Sequence, residues 1–453
     1  MIELLERAAA AVPDRPAVVT DEYTLTSDEL LARARAAARG LLARGITRFA
    51  IVDEDAADVV ALLAGASLIG AQACQYAPDS SPDDVRALAD RFDHDVVVST
   101  RGDLGSGLGE LLAPADVLAA AADTPVPDAP PAERPHLILT TGTTGAPRGV
   151  RHDWSRLIRS TSRIKPVADQ RWLLAYGLHQ FAGMQVLLHV FAARATLVAP
   201  APRRPREGLA AMRAHGVTHA SATPTYWRFL LAELRSDGGP TPQLTQITLG
   251  GEAIPAPLLP ELERTFAGTK VSQVYAASEF GSSGSQRDGR SGLSLDVLDR
   301  GEDADIAMKI VDGELWVRSR VGMLGYYGED PVDPDGWRAT GDLVEIVGDR
   351  IHFRGRTSEV INVGGVKVHP LPIEERVGAV PGVDMARVYG RPNAMTGAIV
   401  AVEVVAAPGA DHREIDTAIR AACEDLAPAA RPRSIKFVDT VTTAGAKIVR
   451  RVV

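Results

Sequence analysis

The chain has 453 residues, 45% hydrophobic and 24% charged; that length fits several domains of ~100–200 residues, and the balance excludes both a single small module and global disorder. With 49 basic against 58 acidic side chains the formal charge is −9, so no overall field favours a phosphate backbone and nucleic acid is excluded as the main partner. Cys74 and Cys423 stand far apart without metal-ligand spacing, which argues against a disulfide framework or a thiolate zinc site and fits a reducing compartment.

The opening residues Met1–Arg7 carry acidic side chains where a secretory signal carries basic ones, so no export is expected. No uninterrupted apolar run reaches the roughly 18 residues that span a bilayer; Val59–Ala73 is short and rich in Ala and Gly. The expectation is a cytoplasmic protein without a membrane span. Thr26 and Glu29 form a capping-box pattern that predicts a helix over Ser27–Leu42. Short β-rich runs at Phe49–Asp53, Asp95–Thr100, His136–Thr140, Ala195–Ala199, Gln246–Leu249 and Val271–Tyr275 alternate with helical periodicity, as at Ala57–Ala71, and such alternation predicts an α/β fold. Five prolines between Thr124 and Pro135 cannot propagate a helix and predict an extended connector. Downstream, Asp312–Val317 and Val344–Phe353 read as strands with Gly-containing turns, hence an antiparallel portion. Beyond Arg356 a Gly-rich turn, helical patterns around Leu371–Val377 and Glu414–Leu426, and intervening β-like runs predict a small α+β domain.

The segment Leu139–Val150, with Thr140-Thr141-Gly142-Thr143-Thr144-Gly145 followed by Ala146-Pro147-Arg148-Gly149, directly follows an apolar strand. Glycines permit close backbone approach, hydroxyls and amides can cradle phosphate oxygens, and Arg148 adds positive charge, so a polyphosphate is the natural ligand. The spacing is not that of a Walker P-loop. A plain Thr/Gly surface turn has the same composition.

Five further segments follow in order: Gly250-Gly251-Glu252, Tyr275-Ala276-Ala277-Ser278-Glu279, Gly336–Asp342, Gly355–Gly365 and Thr443–Arg450. Together with the Thr/Gly loop they resemble, across essentially the whole chain, the signatures of the adenylate-forming superfamily: acyl-CoA synthetases, peptide-synthetase adenylation domains and luciferases. The resemblance implies that Thr140–Gly145 and Arg148 bind the ATP phosphates, that Gly251, Glu252 and Ala253 lie beside adenine with Tyr275 against its ring, and that Ser278 approaches the phosphates. It places Mg²⁺ on Glu279, whose carboxylate is the kind of ligand this ion takes alongside substrate oxygens. Asp342, acceptor-only when ionised, would take the ribose hydroxyl protons, with Arg356 on the far side. Lys447 would offset the charge that builds as a carboxylate attacks the α-phosphorus. In Tyr176–Gly183, His179 is the candidate gate for the acid, and Phe181, Thr223, Gly250 and Ala277 are candidate pocket walls. This chain departs from the usual pattern at Arg148 for lysine, Ala276 for glycine, Val441 and Ala446 for the Pro and Gly flanking the terminal lysine, and Ser358 for the charged hinge residue.

The resemblance implies a large multi-subdomain N-terminal region, residues 1–355, a hinge at 356–359 centred on Ser358, and a small mobile C-terminal domain, residues 360–453, carrying Lys447. The expected activity is ATP- and Mg²⁺-dependent adenylation of a small carboxylic acid, then acyl transfer to the thiol of coenzyme A or of a phosphopantetheinyl carrier, so an acyl or peptidyl carrier protein is a candidate partner. The alternatives are a non-thiol acceptor (an amine, or nitrite activated for diazotisation) and a non-catalytic nucleotide-binding relative.

Overall fold

Thr26 Oγ1 accepts the Glu29 amide at 3.3 Å and Glu29 Oε2 accepts the Thr26 amide at 2.8 Å, so the capping box closes and the helix Ser27–Ala43 starts where its sequence requires. The computed structural model to which this helix belongs describes residues 1–105, 107–119, 123–140, 147–167, 169–199, 204–301, 303–444 and 447–450, with backbone alone at Ala444 and Lys447. The next helix, Ala56–Ile69, is buried from Ala56 to Leu68, apart from Asp58. An element apolar all round has to lie inside a large core. It joins Val18 and Leu197 of one sheet to Phe49 and Ala73 of another in a single apolar cluster.

Among the described residues, the first of these sheets has eight strands. Pro16–Val19, Thr196–Val198, Arg171–Leu174, His219–Ala222, Gln246–Gly250 and Lys270–Ala277 pair in parallel in that order. The edges, Thr24–Thr26 and Gly281–Gln286, are antiparallel. A second, seven-stranded sheet pairs Arg48–Ile51 in parallel with Gln72–Gln75 and Val96–Val98 and ends on the antiparallel strands Arg148–Asp153 and Gly325–Tyr326. Parallel strands covered by helices are the α/β architecture that the alternating runs predict.

The antiparallel portion is a separate five-stranded sheet. Ile306–Val311 turns at Asp312-Gly313 into Glu314–Ser319, and Arg338–Val347 turns at Gly348-Asp349 into Arg350–Arg356. That last strand ends in a single 3₁₀ turn, Thr357–Glu359. Beyond it, Gly397–Ala406 is a central strand of a small sheet and pairs along its length with Val383–Asn393 at the edge, packed through Val388 and Val402 on Ile373, Val377, Ile415 and Ile419 of two helices. The second helix is His412–Ala422 rather than Glu414–Leu426: the Asp411 carboxylate accepts the amides of Arg413 and Glu414 at 2.7 and 3.3 Å, a cap that sets the start two residues earlier. The chain then ends in the two-stranded hairpin Thr443–Ala444/Lys447–Ile448.

Two buried histidines lie toward the other end of the strand pair Pro135–Thr140/Arg148–Asp153 from Thr140 and Arg148. His136 and His152 are cross-strand partners, stacked on Trp154 at 4.6 Å and Phe181 at 5.6 Å respectively. Burial, reinforced by His152 for the one and Arg156 for the other, lowers both imidazoles to about 3. Their folded values lie below the unfolded value of ~6.5, so the stability they contribute is complete above that pH and is lost as the pH falls toward 3. Melting temperature is therefore expected to drop between pH 7 and 5, and His152→Phe, which keeps a ring against Phe181, is expected to flatten that dependence. Thermal melts across this window check it; an unchanged slope would contradict a neutral buried ring.

Candidate active site

The parallel strands Gln246–Gly250 and Lys270–Ala277 release their chains at the same sheet edge, the carboxyl end where α/β folds bind ligands. Three clusters meet the chain there. In the first, Asp342 and Arg356 face each other across neighbouring strands. Asp342 accepts from Tyr275 Oη at 2.6 Å and from Arg356 Nε at 3.0 Å. Tyr275 in turn packs on Phe280 and Phe353, each ring centroid 5.1 Å away. Burial and then the Asp342 charge push the phenol well above its ordinary value, so it stays a donor. The Asp342 carboxylate, opposed by burial, holds Arg356 above its usual range, helped by Tyr275, Glu359 and Glu279. Such hydrogen bonds to ionised groups are worth about 1.5–3 kcal/mol each. In this arrangement the carboxylate expected to receive ribose is engaged by protein donors.

The second cluster contains Glu279 and Arg148. Tyr326 Oη donates to Glu279 Oε1 at 3.2 Å, while the Arg148 guanidinium lies 3.3 Å over the centroid of the same phenol ring and bonds Glu329 at 2.6 Å. Burial and Glu279 push the Tyr326 hydroxyl up to about 12. Tyr326 thus bridges the strand that leaves the Thr/Gly loop and the residue expected to hold metal. Thr140 ends the strand before that loop, opposite Arg148. Thr141, Gly142, Thr143, Thr144 and Gly145, like Ala446, lie outside the described residues. Ser278 is buried beside Glu279.

The third cluster starts at Gly251, whose φ of +84° only glycine adopts readily, and which turns Glu252 and Ala253 away from the strand. Glu252 Oε2 accepts the amide of Thr225, in the first turn of the helix Pro224–Asp237, and its Oε1 accepts the amide of Ile448 at 2.8 Å. The terminal hairpin therefore reaches the large region next to Lys447. On the small region the hairpin is held by two arginines. Arg450 makes a two-pronged pair with Glu374, at 2.5 and 3.0 Å, and lies 3.9 Å from Glu359 in the 3₁₀ turn. Arg387 donates to the Val449 carbonyl and to Thr442 Oγ1. Ser358 sits in the same turn as Glu359.

His179 precedes the helix Phe181–Ala192, and its ring lies over Gly177: a Cβ there would come within 2.3 Å of His179 Cε1. The neighbouring Tyr176 hydroxyl donates to the Gly250 carbonyl at 3.2 Å, so this segment abuts the same strand end. Sequence reasoning missed Tyr326, Glu374, Arg387 and Arg450 as partners. An aromatic pair set between Gly325 and Gly328 was one available signal; the other three are charges whose partners lie 14 to 76 residues away in the chain.

Fold and clusters together define an adenylate-forming enzyme. The chain belongs to the AMP-binding enzyme family: that family's model matches residues 5–327, and the model of its C-terminal domain matches residues 372–446. It is similar to the 3-[(3aS,4S,7aS)-7a-methyl-1,5-dioxo-octahydro-1H-inden-4-yl]propanoyl:CoA ligase of Mycobacterium tuberculosis, at 26% identity over 96% of this chain and 94% of that one. The fatty acid–[acyl-carrier-protein] ligase MmaC of Mycobacterium marinum is 26% identical over 98% and 88% of the two chains. Among solved structures, the anthranilate CoA ligase AuaEII in complex with anthranoyl-AMP superposes with a TM-score of 0.85 at 21% identity, covering 99% of this chain and 95% of that one. The o-succinylbenzoate coenzyme A synthetase of Bacillus subtilis in complex with ATP and magnesium ion does so at 0.78 and 22% identity, covering 99% and 98%.

The overlap of a Gly177 Cβ with the His179 ring gives a direct check of this segment. Gly177→Ala is expected to destabilise the protein by about 1–3 kcal/mol, the usual range for overpacking, and His179→Ala in the same chain is expected to recover most of that loss. A double-mutant cycle by denaturant unfolding measures the coupling; additive effects would contradict the contact.

Proposed function

We propose that this chain is an ATP-dependent acid–thiol ligase acting in two half-reactions. In the first, a carboxylate oxygen attacks the α-phosphorus of ATP, the bond to the β-phosphate oxygen breaks, and acyl-adenylate and pyrophosphate form. In the second, a thiolate attacks the acyl carbon and AMP leaves. A free carboxylate is anionic and resonance-stabilised, so activation must come before thiol attack. The observation that carries the reading is that Tyr275, Asp342 and Arg356 are linked at the strand ends while the backbone next to Lys447 docks on Glu252.

In this reading the ribose hydroxyls displace Tyr275 Oη and Arg356 Nε from Asp342 as acceptor. The backbone of Gly251–Ala253 lies beside the purine, Tyr275 contacts its edge, and Thr140–Gly145, Ser278 and Arg148 receive the phosphates. Arg148 must then turn from Glu329. Lys447, which lies outside the described side chains, supplies its ammonium to the α-phosphate as charge builds there. Glu279, half-buried and accepting from Tyr326, is a hard oxygen ligand of the kind Mg²⁺ takes with substrate phosphates; when bound, the ion would neutralise phosphate charge. His179 borders the acid site.

The acceptor is the thiol of coenzyme A or of a carrier's phosphopantetheine arm; relatives named above include ligases for each. The strand end at Arg356 and the 3₁₀ turn after it support a hinge at 356–359 between residues 1–355 and 360–453. Among the described residues no helix is long and apolar enough to cross a membrane; the dependence on ATP and a thiol acceptor is the reason to place the enzyme in the cytoplasm.

ATP–pyrophosphate exchange with a panel of aryl, short-chain and medium-chain acids tests the activity, followed by coenzyme A against loaded carrier as acceptor. Lys447→Ala is expected to lower exchange by about 10²-fold or more while retaining transfer from a synthetic acyl-adenylate to thiol. Asp342→Ala is expected to raise the KM for ATP by about tenfold, the loss of one hydrogen-bonded charge. Equal loss of both half-reactions in Lys447→Ala, or an unchanged ATP KM in Asp342→Ala, would contradict these roles.

A further inference from the structure

Among the described residues, the hairpin that carries Lys447 makes one hydrogen bond to the large region, and its geometry is specific. Thr443 pairs with Ile448 and Ala444 with Lys447, and the Val449 amide bonds inward to the Thr442 carbonyl at 3.0 Å. Amides alternate along an antiparallel strand, so the Ile448 amide points outward, and it meets Glu252 Oε1 at 2.8 Å. Glu252 does not have to search for it. Its other oxygen is fixed by the Thr225 amide, at a helix start whose dipole favours a carboxylate. On the hairpin side, Arg387 and Arg450 fix the strand to the small region.

The surroundings are suited to a contact that is made and broken. A cleft of about 230 Å³ lies between the two regions, lined on one side by Arg228, Arg235 and Glu261 and on the other by Glu374, Glu375 and Asp384. Among the described residues the one ion pair spanning it, Arg235 to Asp384, is a long 3.7 Å. The acidic and basic groups facing Glu252 are Arg228 and Arg450, both of which feel its charge, with the Tyr176 phenol behind.

We propose that the Glu252 carboxylate is a positioning residue for the first half-reaction: by accepting the Ile448 amide it latches the terminal hairpin against the large region and so sets where the Lys447 ammonium is delivered. This rests on the adenylation reading above. The latch is made in the adenylating arrangement and is released when the small region turns to admit thiol, so losing it shifts the population away from the first arrangement alone. A merely structural Glu252 would affect both half-reactions, and a nucleotide-binding one would act on the KM for ATP.

Two variants remove the contact from opposite sides: Glu252→Ala deletes the acceptor, and Ile448→Pro deletes the donor without touching Glu252 or the helix it caps. Each is measured for ATP–pyrophosphate exchange and for thiol transfer from synthetic acyl-adenylate. Each is also compared with the parent by the distance between spin labels at Val167→Cys and Met395→Cys, exposed positions in the large and small regions; the native Cys74 and Cys423 are buried. In both variants the ratio of exchange to transfer is expected to fall about tenfold, the population shift that one lost hydrogen bond to a charged group brings. The KM for ATP should stay within about twofold, below the effect of a single lost neutral hydrogen bond, and the distance distribution should broaden. Parallel loss of both half-reactions, a raised KM with kcat retained, or an unchanged distance distribution would overturn the latch. Absence of exchange by the parent with every acid would sink the adenylation reading instead, and the distances would still decide the latch.

Discussion

The proposed chemistry brings an anionic acid to an anionic phosphate, and the charge proposed to relieve the repulsion, on Lys447, is carried by a hairpin of the small region that Glu252 holds to the large region through the Ile448 amide. In that scheme the structure serves to place the charge. Two parallel strands end side by side and present Gly251–Ala253 and Tyr275–Glu279 to one crevice. The antiparallel sheet brings Asp342 and Arg356 to its rim. The small region exists in this scheme as a carrier for the terminal hairpin, which Arg387 and Arg450 tie to it.

Charge is handled differently in the body and at the joint. In the large region the cross-strand pair His136 and His152 is kept neutral by burial. At the joint, charges are many and paired: Arg450 lies between Glu374 and Glu359. Burial works against that guanidinium, yet the three carboxylates Glu374, Glu359 and Glu252 keep it charged. The Arg450–Glu374 pair is itself largely buried, its side chains 12% and 10% exposed, so removing either partner would leave a buried charge unpaired.

Much of this was legible in the sequence, and for identifiable reasons. The helix Ser27–Ala43 starts where its capping box lies, and the alternating apolar runs indicated the α/β class and several of its strands, because period and cap are local properties. The hairpins at Asp312-Gly313 and Gly348-Asp349 were visible for the same reason. The family motifs named Tyr275, Asp342 and Arg356, which the structure links by hydrogen bonds. What could not be read were pairings set by tertiary approach: that Tyr275 donates to Asp342 across 67 positions, that Tyr326 bridges Arg148 and Glu279, and that Glu252 meets a backbone amide rather than standing only as part of a turn. Arg450 pairs with a carboxylate 76 residues away, which no local pattern reveals. The start of the helix His412–Ala422 was misjudged for a smaller reason: Asp411 had not been recognised as its cap.

The account turns on where a bound adenylate lies. A crystal structure of the enzyme with a non-hydrolysable acyl-adenylate mimic is predicted to show the ribose hydroxyls on Asp342, with Tyr275 and Arg356 displaced from it, and the Lys447 ammonium facing the phosphate position beside Glu252. A mimic bound elsewhere, or an occupied crevice with the terminal hairpin turned away from Glu252, would contradict it.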